Sequence, residues 1–381
     1  MQDPTRARIA IVLTGGGARA AYQVGVLRAI SAITGFQNNP FRIISGYSAG
    51  AINGTWLAGR TENFERAAQS MWDEWSEITP EKVFNSDVPN VLYMVMRWIK
   101  DRSLGGVHHN RKQINYLLDT LPLQHFIRSR IDYAGVRQHL QSGVLHGVSI
   151  TSVNYHTGQS VTFYSGSEDI QDWKSLNRVS VRTDLEPDHV IASSAIPIFF
   201  PPRKIGHYHY GDGMVRLNAP LSAAIKMGAE KIMVIGIRGP SAQSVTDPET
   251  NGHVTLGEIA GTILNGLFFD SLDADLARLA RVNRTLALMS AEELGKGPDH
   301  LRRIPVLVLK PTEELGKQSA CELARMPGTL RFLLKGIGLK ENRGTDLLSY
   351  LSFEPKYLRS LLEAGYEDTL RRKNEIIDFF S

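Results

Sequence analysis

Three short stretches of this chain carry residues that could do covalent chemistry. The first is Gly46-Tyr47-Ser48-Ala49-Gly50, placed between the apolar run Phe41-Arg-Ile-Ile-Ser45 and the helix-forming run Ala51–Ala58. A G-x-S-x-G between a strand and a helix is a nucleophile elbow. The turn is so sharp that the residues two before and two after the serine cannot carry a Cβ. The serine then stands at the strand's end, over a helix N-terminus whose unpaired N–H groups favour negative charge. A bare pentapeptide would fit a plain glycine turn equally well; the flanking strand and helix favour the nucleophile.

The second stretch is Thr14-Gly15-Gly16-Gly17-Ala18-Arg19-Ala20, after the apolar run that ends at Leu13. It fits G-x-G-x-x-A, the dinucleotide fingerprint. That fingerprint needs an acidic residue about 20 positions on, at the end of the second strand, to hold the ribose hydroxyls. No Asp or Glu occurs from Ala18 through Thr61, and the second strand runs straight into the serine elbow. What remains is an oxyanion hole: successive glycines let backbone N–H groups approach a developing charge, each donor worth about 3 kcal/mol. Arg19 could anchor this loop or touch an anionic head group, and the anchoring role is favoured.

The third is Tyr210-Gly211-Asp212-Gly213. Asp and Gly are turn residues, and alone this would read as a β-turn. Beside an elbow serine that lacks a base, it becomes a candidate carboxylate. A conventional triad in the order Ser…Asp…His would need a late histidine. After Asp212 only His253 and His300 remain, one near a linker and one in a charged stretch. His207 and His209 alternate with tyrosines and read as strand positions. No HExxH or other ligand cluster argues for a metal.

Elements that could position these groups follow from the pattern. Strand–loop–helix units recur: Arg8–Leu13 then Ala20–Ile30, and Phe41–Ser45 then Ala51–Ala58. Alternating strands and helices of this kind predict an α/β fold around a mostly parallel sheet. The stretch from Asn63 to His139 is mainly helical, and His146–Tyr164 alternates as a hairpin. Lys231–Ile237 and Ile304–Leu309 read as buried strands. Pro240–Gly252 is rich in Ser, Thr, Pro and Gly and reads as a linker. The expected division is a catalytic domain over 8–240, a linker over 241–255, and a mainly helical extension over 256–381 with one strand near 304–309. Helices from about Leu256 to Thr285 and from about Pro355 to Phe380 would make up most of that extension, the first packing its apolar face on the sheet domain.

The 381 residues are 42% hydrophobic and 22% charged, as in globular proteins, with a formal net charge of +4. That mild bias, without a basic stripe, argues against nucleic acid as a partner. The single cysteine, Cys321, allows no internal disulfide and fits a reducing, cytoplasmic compartment. No window approaches the roughly 20 apolar residues of a membrane span. The longest, Val91–Ile99, contains Arg97 and is favoured as a buried helix over an interfacial lid. Any membrane contact would be peripheral, at the inner surface. Phe199-Phe200 reads as core or pocket wall.

Taken in order, the glycine loop, the Gly-Tyr-Ser-Ala-Gly elbow and the Gly-Asp-Gly site resemble the patatin-like phospholipase family. Ala192-Ser-Ser-Ala-Ile-Pro197 with Phe-Phe-Pro-Pro, and Ala219-Pro-Leu-Ser222, agree with it. The resemblance covers residues 8–240 and implies a three-layer α/β/α patatin-like fold with a helical C-terminal extension. It implies a Ser–Asp dyad without histidine, with Ser48 as nucleophile and Asp212 as base. Gly15, Gly16, Gly17 and Ala18 would form the oxyanion hole, with Arg19, Gly46, Gly50 and Gly213 supporting the motifs. A carboxylate is a weak base near neutral pH, so such a site must be dry. The implied reaction cleaves acyl esters of lipids through an acyl-Ser48 intermediate, with no metal or other cofactor.

Two departures stand out: Ala20 where the loop usually ends in Gly, and Met214 where the third site usually has Gly or Ala. Met214 is expected to narrow or grease the acyl pocket. A carboxylesterase or thioesterase on soluble acyl esters, and a non-catalytic lipid-binding regulator, are the rival functions. Head group, chain preference and oligomeric state stay open.

Overall fold

The computed structural model describes residues 7–85, 116–239, 256–289, 301–315 and 349–381. The stretch 91–99, the linker at 240–252, His253, His300 and Cys321 lie outside the described residues.

At the centre is a sheet in the order β10-β9-β1-β2-β3-β4-β6-β5. Its parallel half comprises β1 (Ile9–Leu13), β2 (Ile43–Tyr47), β3 (Gly147–Asn154), β9 (Lys231–Ile235) and β10 (Val306–Leu309). Beyond β3 the sheet turns mixed. β4 (Ser160–Gly166) pairs antiparallel with β3, β6 (Arg178–Arg182) runs parallel to β4, and β5 (Lys174–Ser175) closes that edge. A short hairpin of β7 (Arg203–Ile205) and β8 (Tyr208–Asp212) hangs off the far end of β3, with Ser152 opposite Asp212.

The parallel strands are apolar on both faces because helices cover both. Along β1, Ile9, Ile11 and Leu13 point into one core cluster, while Ala10 and Val12 point into another. β9 divides in the same way, Met233 and Ile235 against Ile232 and Val234. The first face carries α1 (Ala21–Thr34), α2 (Ala49–Ala58), α3 (Phe64–Ser76), the short α4 (Pro80–Val83), α5 (Leu121–Arg130), α6 (Tyr133–Gln141) and α7 (Pro187–Ser193). The second carries α8 (Ser222–Lys226) and α9 (Leu256–Leu286), whose Leu272, Leu276 and Leu279 pack on the strands. This is the mostly parallel α/β sheet that the alternation of strands and helices implies, in the three-layer arrangement that the family resemblance implies.

The described residues of the C-terminal third are woven into these layers. They supply β10 to the sheet edge, and α10 (Pro355–Arg371) lies across α1. The crossing is close because each helix presents a glycine. A Cβ at Gly25 would sit 2.0 Å from the Leu362 carbonyl oxygen, and one at Gly365 would sit 2.1 Å from that of Tyr22. The Tyr22 hydroxyl donates to Asp368 at 3.2 Å, and Thr312 donates to the same carboxylate from its hydroxyl (2.6 Å) and its N–H (3.0 Å). The final helix expected as one rod breaks at Arg372 into α10 and α11 (Lys373–Phe380). There the Arg372 guanidinium donates to the Val308 carbonyl and to Glu375, and Lys231 donates to the Phe379 carbonyl at 3.0 Å.

Gly365→Ala is expected to destabilise the whole domain, by about 1–3 kcal/mol as overpacking usually does. Urea unfolding should show a lower midpoint in a single transition. A lone methyl that leaves the midpoint unchanged would contradict the close crossing of α1 and α10.

Candidate active site

The chemistry-bearing residues collect at the carboxyl ends of β1 and β2, next to the point between β1 and β9 where the strand order reverses and where ligands bind in open α/β sheets. Ser48 is the single residue between β2 and α2. Its φ of 55° and ψ of −134° place it in a strained region for a side chain, at a cost of about 1–3 kcal/mol. Both flanking glycines are sterically required: a Cβ at Gly46 would meet the Gly50 carbonyl oxygen at 2.4 Å, and one at Gly50 would meet that of Leu13 at 2.2 Å. The elbow is thus pressed against the end of β1.

Ser48 is 3% exposed, and its Oγ donates to Asp212 Oδ2 at 2.5 Å. Asp212 is fully buried at the end of β8. Its own N–H donates to the Ala195 carbonyl at 3.0 Å, and its second oxygen, Oδ1, accepts from the Met214 N–H at 3.0 Å. Gly213 permits this turn, since a Cβ there would fall 2.1 Å from the Thr151 carbonyl oxygen. Burial pushes the Asp212 carboxyl up to about 7, and the hydrogen bonds from Ser48 and Met214 only partly oppose it. The same burial raises the phenols of Tyr47 and Tyr155, the latter to about 12, with the Asp212 charge adding to the effect.

The glycine loop passes directly beside the serine. A Cβ on Gly15 would lie 2.6 Å from Ser48 Cβ and 2.0 Å from Met214 Sδ. Gly16 abuts Ile237, and Gly17, with φ of +54°, abuts the Tyr350 carbonyl. Gly17–Ala20 forms one 3₁₀ turn leading into α1, so Ala20 fits where the loop would usually end in glycine. Arg19 is buried. Its Nε donates to Ser349 Oγ at 2.6 Å, and its guanidinium lies 4.9 Å from the Tyr350 ring centroid. It ties the loop to the C-terminal segment.

Met214 packs behind the loop with Tyr47, Leu217, Ile237 and Tyr350. It is not among the residues that wall the apolar cavity next to Ser48. That cavity is walled by Ile52, Trp75, Ile78, Val83, Leu123, Phe126, Ile196, Phe200 and Phe353, with Gly17 and Ser48 at one end. Its free volume is about 30 Å³, room for a water or two.

Of the histidines, His209 stacks on His156, their ring nitrogens 3.1 Å apart, and His207 lies in the turn before β8. Among the described residues no histidine ring bonds to Ser48 or Asp212. One participant escaped the motif reading: Ser193, whose hydroxyl accepts from the Ser48 N–H at 2.9 Å and donates to the Thr151 carbonyl at 2.6 Å. Ser193 lies in the Ala192–Pro197 stretch noted as flanking sequence, and nothing in its type or spacing marks it as a support for the elbow.

The sequence model of the family described as "Patatin-like phospholipase" matches residues 11–225. No curated protein matches this chain. Among solved structures, a human GIVD cytosolic phospholipase A2 is similar at 12% identity and a TM-score of 0.49, covering 100% of this chain and 60% of its own. VipD from Legionella pneumophila is similar at 10% identity and a TM-score of 0.36, covering 97% of this chain and 67% of its own. This chain therefore spans about 60% of the length of the human protein. Among the described residues no helix is long and apolar enough to cross a membrane.

The raised carboxyl has a consequence for stability. Folded Asp212 titrates near 7, above the ordinary 3.8, so between those values the folded chain holds a proton that the unfolded chain has released. Stability from this group is complete below the lower value and falls as pH rises through the upper one. Asp212→Asn is therefore expected to unfold at a higher temperature than wild type at pH 8 and at nearly the same temperature at pH 4. Equal melting shifts at both pH values would contradict a perturbed carboxyl.

Proposed function

Because this chain belongs to the patatin-like phospholipase family, we propose that it hydrolyses acyl esters of phospholipids or lysophospholipids with Ser48 as nucleophile and Asp212 as the base. What carries the reading is the 2.5 Å contact from Ser48 Oγ to a carboxylate shut away from water, with an apolar cavity opening from the same serine.

As Ser48 Oγ attacks the ester carbonyl carbon, its proton passes to Asp212. The carbonyl oxygen gathers negative charge and is held by the N–H groups of Gly15, Gly16, Gly17 and Ala18. Collapse of the tetrahedral centre breaks the bond to the alcohol, which leaves with the proton from Asp212. The acyl group stays on Ser48. Asp212 then takes a proton from water, the resulting hydroxide attacks the acyl carbon, and the fatty acid departs as Ser48 recovers its proton. A base near 7 is half ionised at neutral pH, where an ordinary carboxylate would be a far weaker acceptor. The strained elbow keeps the Oγ in place, and the Ser193 bond fixes its backbone. Substrate would be taken from a membrane surface peripherally, with the acyl chain in the cavity.

Treatment with a long-chain alkyl fluorophosphonate is expected to add one adduct by intact mass. The adduct should be absent in Ser48→Ala and should form about 10²-fold or more slowly in Asp212→Asn, as loss of a general base typically does. Fatty-acid release should rise when a phospholipid passes from monomers to vesicles. An undiminished adduct in Ser48→Ala would contradict the nucleophile, and equal turnover of short soluble esters with no response to vesicles would favour a general carboxylesterase.

A further inference from the structure

Behind the glycine loop runs a buried chain of amides that neither the dyad nor the oxyanion hole uses. Asn53 on α2 and Gln23 on α1 are both fully buried. The Asn53 amide nitrogen donates to the Ala20 carbonyl at 3.1 Å and to Gln23 Oε1 at 3.0 Å. The Gln23 amide nitrogen donates to the Thr14 carbonyl at 2.6 Å and to that of Ile235 at 3.4 Å. Thr14 and Ala20 are the residues on either side of the loop 15–19. The two side chains therefore clamp both ends of the loop, and between them every amide hydrogen and one oxygen lone pair of each residue is engaged.

The chain has a third end. Asn53 Oδ1 accepts from the indole Nε1 of Trp75 at 2.9 Å. Trp75, on α3, is a wall residue of the apolar cavity that opens from Ser48. An acyl chain that enters must displace such walls, because the free space is about 30 Å³. The indole thus bonds directly to Asn53, and Asn53 bonds directly to the end of the loop at Ala20. Buried amide networks of this kind have few alternative partners, so a shift at one member propagates or leaves a group unsatisfied.

Resting on the hydrolase reading above, we propose that Asn53 and Gln23 are positioning residues for the oxyanion loop and that Trp75 makes their alignment depend on the acyl chain in the cavity. Long-chain substrates would thereby be favoured in turnover and not only in binding. The chemical class read is a linear acyl chain long enough to reach the indole.

The test is kcat and KM across a series of p-nitrophenyl esters from acetate to palmitate, on wild type, Trp75→Phe and Asn53→Leu, with melting temperatures recorded alongside. Trp75→Phe keeps an aromatic wall and removes the indole donor. Wild type should show kcat rising with chain length. Trp75→Phe should flatten that rise, and Asn53→Leu should lower kcat about tenfold or more at every length with KM little changed, as expected when transition-state contacts alone are lost. If Asn53→Leu fails to fold, the Trp75→Phe series decides alone. A chain-length profile of Trp75→Phe parallel to wild type, or variants that lose melting temperature at unchanged kcat, would overturn the proposal and leave the network structural. A wild type that turns over no ester and takes no fluorophosphonate on Ser48 would overturn the hydrolase reading itself, and this one with it. A reactive Ser48 with parallel profiles would overturn this proposal and leave the hydrolase reading standing.

Discussion

A carboxylate taken out of water becomes a better base and a worse neighbour. Asp212 is fully buried, its two oxygens engaged by one hydroxyl and one backbone N–H. Ionising such a group opposes folding, so the surrounding structure must hold it there against its own hydration. The device used is backbone. β8 pairs with β3 at Ser152, the Ala195 carbonyl takes the Asp212 N–H, and Gly213 turns the chain away against Thr151. Side chains play little part in this fixing, which leaves Oδ2 facing Ser48.

The same economy governs the serine and its loop. Three chain segments converge at the ends of β1, β2 and β8 within distances that no Cβ would tolerate, so Gly15, Gly46, Gly50 and Gly213 occur where backbone meets backbone or the Ser48 Cβ. The strain at Ser48 is sustained by the first turn of α2 lying on the end of β1 and by the Ser193 hydroxyl. On the outer side, Arg19 and Gly17 bind the loop to Ser349 and Tyr350, so residues from the far end of the chain steady the turn that follows the first strand. The close crossing of α1 and α10 serves the same end, since α1 begins where the glycine loop stops.

The elbow and the parallel core were legible in the sequence because steric necessity leaves a pattern: glycines at fixed offsets from Ser48, and continuous apolar runs in strands covered on both faces. Asp212 was harder, since Asp between glycines is also what a turn contains; its burial comes from the pairing of β8 with β3, a long-range event. The strands β5, β6 and β7 are short or carry Lys and Arg, and so leave no apolar run to read. Ser193, Gln23 and Asn53 are polar residues of ordinary type. Their work depends on which carbonyls the fold brings to them, and spacing along the chain does not record that. The docking of α10 was hidden for a similar reason: Gly25 and Gly365 matter only in each other's company.

The central claim is that Asp212 is the base for Ser48 because it is dry. Isotope-edited infrared titration of the carboxyl, compared with the pH profile of Ser48 acylation by a fluorophosphonate, tests it most directly. The account predicts one carboxyl titrating near pH 7, absent in Asp212→Asn, with the acylation rate falling below the same midpoint. An Asp212 that titrates in the ordinary carboxylate range, while acylation follows some other midpoint, would contradict it.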